Sequence, residues 1–194
     1  MTIAVIAVAF ALSHSSARKS LPVYSSAGEF SLTNQLGRAV SARDLAGRIW
    51  LADVIFSRCP AQCLRLTKKM SVLQKRLAGL PDVRLVSLTI DPVYDTPEIL
   101  QRYAAPFGAP ADQWLFLTGD KREIVRLAVD GLKFSAVDKD PAQRESINDL
   151  FIHSTQFALV DGRGRVRGWF DGDEPGAEDA ILGAVAALQK EGAR

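Results

Sequence analysis

The stretch IWLADVIFSRCPAQC occupies residues 49–63 and joins a nearly continuous apolar run to two cysteines. A run of this kind is typical of a strand that is covered on both faces of a sheet. Apolar residues then recur at mostly helical spacing over 61–78, at Leu64, Leu66, Met70, Leu73 and Leu77. The sequence therefore predicts that Cys59 and Cys63 lie at the junction between a buried strand and the helix that follows it.

Short strands and helices alternate on either side of this junction, which predicts a central sheet with helices on both faces. Further elements follow from apolar runs, caps and turn signals. They are strands over 83–90 and 114–119, hairpins over 29–41 and 151–171, and helices over 95–105, 120–132 and 175–190. The polar stretch 133–149 is expected to be irregular.

The composition is that of one ordinary globular domain. Of the 194 residues, 47% are hydrophobic and 24% are charged, which excludes a disordered chain and a membrane protein with several spans. The 24 basic side chains are spread among 22 acidic ones, and the formal net charge is only +2. We therefore expect no nucleic-acid partner.

The N-terminus differs from the rest of the chain. Residues 3–12 read IAVIAVAFAL, and a polar stretch containing Arg18 and Lys19 follows them. Ten apolar residues are too few to span a bilayer but fit the core of a signal peptide. We expect residues 1–20 to be a signal peptide or membrane anchor with its linker, and residues 21–194 to be the folded domain. The alternative is a buried strand or helix of the fold.

The placement of the cysteines suggests chemistry. A helix N-terminus favours thiolate over thiol, Arg58 adds a positive charge, and a spacing of four residues brings both sulfurs within one helical turn. A disulfide that closes so short a loop would restrain the unfolded chain very little. Redox or metal chemistry is thus favoured over a structural bridge, and the alternative is two inert cysteines.

The supply of ligands limits which metal these cysteines would bind. Outside the N-terminal segment the chain offers Cys59, Cys63 and a single histidine, His153. A structural zinc site requires four such ligands, whereas a three-coordinate copper site is allowed. The alternative for His153 is an ordinary core histidine.

Four stretches give the chain a resemblance to a known family. They are EFSLTNQLGRAVSARDLAGRIWLADVIFSRCPAQC, VSLTIDPVYDTPEILQRYAAPFGA, QWLFLTGD and HSTQFALVDGRGRVRGWFD. The sequence resembles the Sco (SenC) family of copper-binding proteins, which assist assembly of the binuclear copper centre of cytochrome c oxidase. The resemblance implies an α/β fold, a thioredoxin-like three-layer α/β/α sandwich with an N-terminal β-hairpin extension. It also implies copper bound by Cys59, Cys63 and His153.

Together these expectations predict that the protein is a copper chaperone, which holds Cu(I) or Cu(II) and delivers it to a copper-accepting oxidase subunit. We expect a monomer outside the cytoplasm, in the periplasm or anchored facing it, with membrane contact only through residues 1–20. The alternative is a thiol-disulfide oxidoreductase that reduces the cysteines of its partner. In that enzyme Cys59 would attack and Cys63 would resolve the mixed disulfide.

Overall fold

The computed structural model describes residues 20–59, 61–134, 137–138, 151–152 and 155–192. Its strands are β1 (Ser25–Ser26), β2 (Ser31–Asn34), β3 (Ala39–Ser41), β4 (Ile49–Ile55), β5 (Val83–Thr89), β6 (Trp114–Thr118), β7 (Val137–Asp138), β8 (Phe151–Ile152), β9 (Gln156–Val160) and β10 (Arg165–Asp171). Its helices are α1 (Gln62–Leu77), α2 (Pro97–Ala104), α3 (Lys121–Val125) and α4 (Ala177–Gly192).

Eight of these strands form one mixed sheet in the order β1-β10-β9-β4-β5-β6-β2-β3. Strands β4, β5 and β6 are parallel, and antiparallel β9 pairs with β4 on its other side. Because α1 and α2 connect successive parallel strands in one direction, right-handed crossovers place both helices on one face. The sheet and its helices form the thioredoxin-like α/β sandwich that the resemblance implied, and the β2–β3 hairpin extends the sheet beyond β6.

Strand β4 is at the centre of this architecture. All seven of its residues are buried, as the apolar run at 49–55 predicts. Its carboxyl end leads through Phe56 into the turn that carries Cys59, and α1 begins at Gln62. Parallel β4, β5 and β6 end at the same edge of the sheet. The turn that follows β5 lies beside the turn that carries Cys59.

The strand expected over 151–161 is interrupted in the structure. Phe151–Ile152 pairs with Val137–Asp138 in a separate two-stranded sheet, and the strand of the main sheet begins only at Gln156. The hairpin with β10 is confirmed, with residues 161–164 between its two strands.

The helix expected over 120–132 also changes character. It begins at the Asp120 cap as predicted, but from Arg126 to Gly131 it continues as a π-helix. No helix among the described residues is long and apolar enough to cross a membrane. The predicted division into 1–20 and 21–194 remains a prediction, because residues 1–19 lie outside the described ranges.

Candidate metal centre

Cys59 and Cys63 meet at the start of α1. Both are reduced, and the backbone N–H of Cys63 donates a hydrogen bond of 3.3 Å to Sγ of Cys59. The first N–H groups of a helix have no intrahelical partner, and Ala61 at the N-cap position offers no side-chain acceptor. The Cys59 sulfur takes that role, so the helix end positions the sulfur and places a positive dipole beside it.

The two thiols have different surroundings. Cys59 is half-buried, whereas Cys63 is fully buried in the first turn of α1. A hydrogen bond from the Cys63 thiol to Cys59, together with burial, raises the pKa of Cys63 well above its ordinary value. A second protein or a metal donor therefore meets Cys59 first, and binding of a metal at Cys63 would have to displace the proton of its thiol.

A buried carboxyl group lies below the pair. Asp53 is in the middle of β4 and is fully buried. Burial raises its pKa to about 7, and the nearby Ser87 side chain offsets only part of that rise. Neither carboxyl oxygen has a hydrogen-bond partner among the described residues. Its charge also raises the pKa of Cys63, so Asp53 and the thiols interact electrostatically.

The turn that carries Cys59 is held by a second aspartate. Asp95 is fully buried and accepts hydrogen bonds from the backbone N–H and hydroxyl of Ser57 and from the hydroxyl of Thr89. These bonds tie residues 57–59, after β4, to the turn that follows β5. The geometry of the cysteines is thereby fixed from the neighbouring strand.

Arg58 forms a second link between the same two turns. Its guanidinium group is ion-paired with Asp91 and lies 4.2 Å from the centroid of the Tyr94 ring. Because Asp91 neutralises this arginine, its contribution at the site is mainly to fix the rim beside Cys59.

The third predicted ligand, His153, lies outside the described residues, and its place in the site remains a prediction. In the part of the chain that the structure describes, no three Cys, His, Asp or Glu side chains come together as a metal-binding group. The structure thus brings two of the three predicted ligands together, Cys59 and Cys63.

Sequence reasoning missed two residues of this site. Asp53 interrupts an otherwise apolar strand, and that lone acid was the available signal. Asp95 begins the segment predicted as a helix over 95–105, but Thr96 is the N-cap of α2 and Asp95 instead binds the cysteine turn. That contact joins residues 38 positions apart, which no local pattern indicates.

A surface cleft of about 660 Å³ is found elsewhere, at the opposite end of the sheet. It is lined by the turns at Gly47 and Gly162 and by the end of α4, and it contains neither cysteine. The predicted cysteine site lies at the carboxyl edge of the strands, away from this cleft.

Comparison with known proteins agrees with this geometry. The model of the SCO1/SenC family matches residues 19–189. The SCO1 protein homolog of Bacillus subtilis (strain 168) is 37% identical over 158 residues, which cover 80% of this chain and 79% of the relative.

Solved structures share the fold. A SCO1/SenC family lipoprotein from Bacillus anthracis str. Ames has a TM-score of 0.73 at 29% identity, covering 85% of this chain and 95% of that one. BsSco, described as having a disulfide switch and as a member of the Sco family of cytochrome c oxidase assembly proteins, has a TM-score of 0.74 at 33% identity (88% and 98% covered).

A third structure holds a metal. ScoI of Bradyrhizobium japonicum, solved with copper bound, has a TM-score of 0.66 at 25% identity, covering 84% of this chain and 97% of that one. The match of the family model over most of the chain, the close relative and the shared fold all agree. This chain belongs to the SCO1/SenC family.

Proposed function

We propose that this protein binds copper through the thiolates of Cys59 and Cys63, with His153 as third ligand, and delivers it to a copper-accepting subunit of cytochrome c oxidase. The observation that carries the proposal is the pair of reduced sulfurs gathered at the N-terminus of α1. Two thiolates are soft ligands that select Cu(I), and an imidazole accommodates either oxidation state of copper.

The relatives support the proposed cargo and partner. The B. japonicum relative holds copper, and BsSco is described as a cytochrome c oxidase assembly protein. Binding of Cu(I) to the reduced pair replaces two S–H protons by two Cu–S bonds and releases two protons, with no change of oxidation state. Delivery is the reverse exchange, in which ligands of the acceptor replace the sulfurs of this chain one at a time.

The same proposal places the protein outside the cytoplasm as a monomer, with residues 1–20 as its signal or membrane anchor. The description of the B. anthracis relative as a lipoprotein supports attachment to a membrane.

Anaerobic titration of the reduced protein with Cu(I), in competition with a chromophoric chelator, tests the binding step. We expect one copper per chain in the wild type and a loss of at least about tenfold in affinity for Cys63→Ser. Met70→Leu is the matched control, because Met70 is a fully buried sulfur-bearing residue of the same helix. If Cys63→Ser binds copper as tightly as Met70→Leu does, the proposal is wrong.

A thiol-disulfide reductase is the second candidate, and the unequal burial of the two cysteines favours it. The half-exposed Cys59 would attack a partner disulfide and release one partner thiolate. Cys63 would then attack the Cys59 sulfur, which forms the Cys59–Cys63 disulfide and frees the second partner thiol. Two electrons thus pass to the partner, and BsSco is described as having a disulfide switch.

His153→Ala separates the two candidates. We expect this variant to lose copper affinity and to retain the rate of disulfide exchange with a model disulfide. A variant that loses both activities would show that His153 supports the cysteine pair itself and would remove this distinction between the two roles.

A further inference from the structure

Two apolar side chains are exposed beside Cys59. Val93 is 88% exposed and Tyr94 is 43% exposed, and both lie in the turn after β5. The Arg58 guanidinium group stacks on the Tyr94 ring, and Arg58 is bonded directly to Cys59 along the chain. We call Arg58, Val93 and Tyr94 the rim platform.

The rim platform is rigid. Within the turn, the N–H groups of Tyr94 and Asp95 both donate to the carbonyl of Asp91, at 3.1 and 2.9 Å. The buried Asp95 carboxylate then binds the Ser57 backbone, and the Asp91–Arg58 ion pair adds a second link. Val93 is therefore held out in solvent on a backbone that is fixed relative to the sulfur. A valine has only one rotatable side-chain bond, so on this fixed backbone it loses little entropy when a partner covers it.

Transfer of copper imposes a geometric condition on the acceptor. Of the two sulfurs, Cys63 contributes no surface, so an incoming protein reaches the pair at Cys59. A specific interface covers about 800 Å² on each partner, a patch far wider than one cysteine. A protein whose ligands reach Cys59 therefore covers a patch that extends well beyond this residue, and the rim platform adjoins Cys59 through Arg58. Two of the three platform residues are a tyrosine and an arginine. These residue types are enriched among the interface residues that contribute most of the binding free energy.

We propose that the rim platform is the docking surface for the protein that accepts the copper, and that an apolar side chain beside the empty copper centre of the acceptor packs on Val93. This inference rests on the proposed function. It assigns a role to the turn that follows β5 in addition to support of the cysteines. Recognition and metal transfer then use adjacent surfaces, and the acceptor docks before its ligands reach Cys59.

The test compares Val93→Asp with Leu36→Asp. Leu36 is also an exposed apolar turn residue, at 44%, but Gln35 beside it bonds the carbonyl of Trp114 at the start of β6, the end of the sheet away from the cysteines. Each variant is loaded with Cu(I) and mixed with the copper-free soluble domain of the oxidase subunit, and separately with a small Cu(I) chelator. Val93→Ser removes the apolar contact without adding a charge.

We expect Val93→Asp to lower the second-order rate constant for transfer to the oxidase domain by about tenfold, and Val93→Ser to lower it by a smaller factor. Transfer to the chelator should be unchanged in all variants, and Leu36→Asp should behave like the wild type. Equal rates to the oxidase domain for Val93→Asp and Leu36→Asp would overturn the docking surface and leave copper binding intact. A wild type that binds no copper would overturn the proposed function, and this surface with it.

Discussion

Asp53 is the residue whose environment departs furthest from its ordinary chemistry. Its carboxyl group is enclosed by the centre of the sheet, below the cysteines, and in the described part of the chain neither of its oxygens has a hydrogen-bond partner. Burial raises its pKa to about 7 in the folded protein, compared with 3.8 in the unfolded chain. The folded state therefore holds a proton that the unfolded state releases, and stability decreases as the pH rises through this interval.

Asp53→Asn should remove this pH dependence. Between pH 5 and pH 8 we expect the free energy of unfolding of the wild type to fall by about 2 to 4 kcal/mol relative to that of Asp53→Asn. The measurement is urea denaturation of both reduced, metal-free proteins at the two pH values. Asp173→Asn, at a half-exposed surface carboxylate, is the control. Its free energy of unfolding should change with pH as that of the wild type does. If the free energy of unfolding of Asp53→Asn changes with pH as that of the wild type does, Asp53 is already ionised in the folded protein.

At the scale of single residues, the sequence predicted the cysteine pair but not the two aspartates that lie around it. Two cysteines four residues apart at a strand-to-helix junction have a local signature, because the spacing and the strand pattern are both visible in 49–63. The contacts of Asp53 and Asp95 have no such signature, because burial and tertiary pairing determine them. His153 remains a prediction from ligand chemistry and from the family resemblance.

At the scale of elements, close backbone approaches fix how the turns meet around the sheet. The turn after β9 contacts the turn before β4, where the N–H of Gly47 donates to the carbonyl of Gly162 at 2.8 Å. A side chain at position 162 would place its Cβ 2.9 Å from the Gly47 carbonyl carbon. Only glycine allows these two backbones to lie so close.

Gly162→Ala should therefore destabilise the protein by about 1 to 3 kcal/mol, because one of the two backbones must move. Gly183→Ala is the matched control. Gly183 is an exposed residue of α4, and a Cβ there meets nothing within 4 Å. Since alanine forms helices better than glycine does, we expect Gly183→Ala to raise the free energy of unfolding by up to about 1 kcal/mol. Chemical denaturation measures both, and an equal response of the two variants would contradict the close approach.

Most elements were predictable because their patterns are local. The apolar runs of β4, β5 and β6 and the amphipathic α1 appear within about two residues of their expected positions. The short strand β1 and the break before β9 were not foreseen. A two-residue strand carries no periodicity, and the break depends on pairing with Val137–Asp138, which is set by tertiary structure.

At the scale of the whole molecule, Arg167 joins the two ends of the domain. It is the extra residue of a β-bulge in β10, between Val166 and Gly168, and its side chain is only 3% exposed. It forms ion pairs with Asp161 and with Glu191 near the end of α4. It also donates to the carbonyls of Leu21 and Pro22, where the described part of the domain begins.

Arg167→Ala should cost about 2 to 4 kcal/mol of stability, because it removes the buried ion pair with Asp161 and the donors to the carbonyls of Leu21 and Pro22. Arg165 still pairs with Asp161 in this variant, which limits the loss. The control is Arg76→Ala, which breaks the exposed pair with Asp179 on α1 and α4 and should cost less than about 1 kcal/mol. Thermal and urea denaturation at neutral pH compare the two. If Arg167→Ala is no more costly than Arg76→Ala, the contacts of Arg167 do not hold residues 21–22 to β10 and α4.

The central claim is that this SCO1/SenC domain gathers two thiolates and an imidazole around one copper ion. X-ray absorption at the copper edge, on reduced protein loaded with one equivalent of Cu(I), tests it most directly because the method identifies the atoms bound to the metal. The result predicted is two sulfur neighbours and one imidazole nitrogen, with one sulfur lost in Cys63→Ser and the imidazole lost in His153→Ala. Copper bound only by nitrogen and oxygen, or an unchanged spectrum in Cys63→Ser, would contradict the claim.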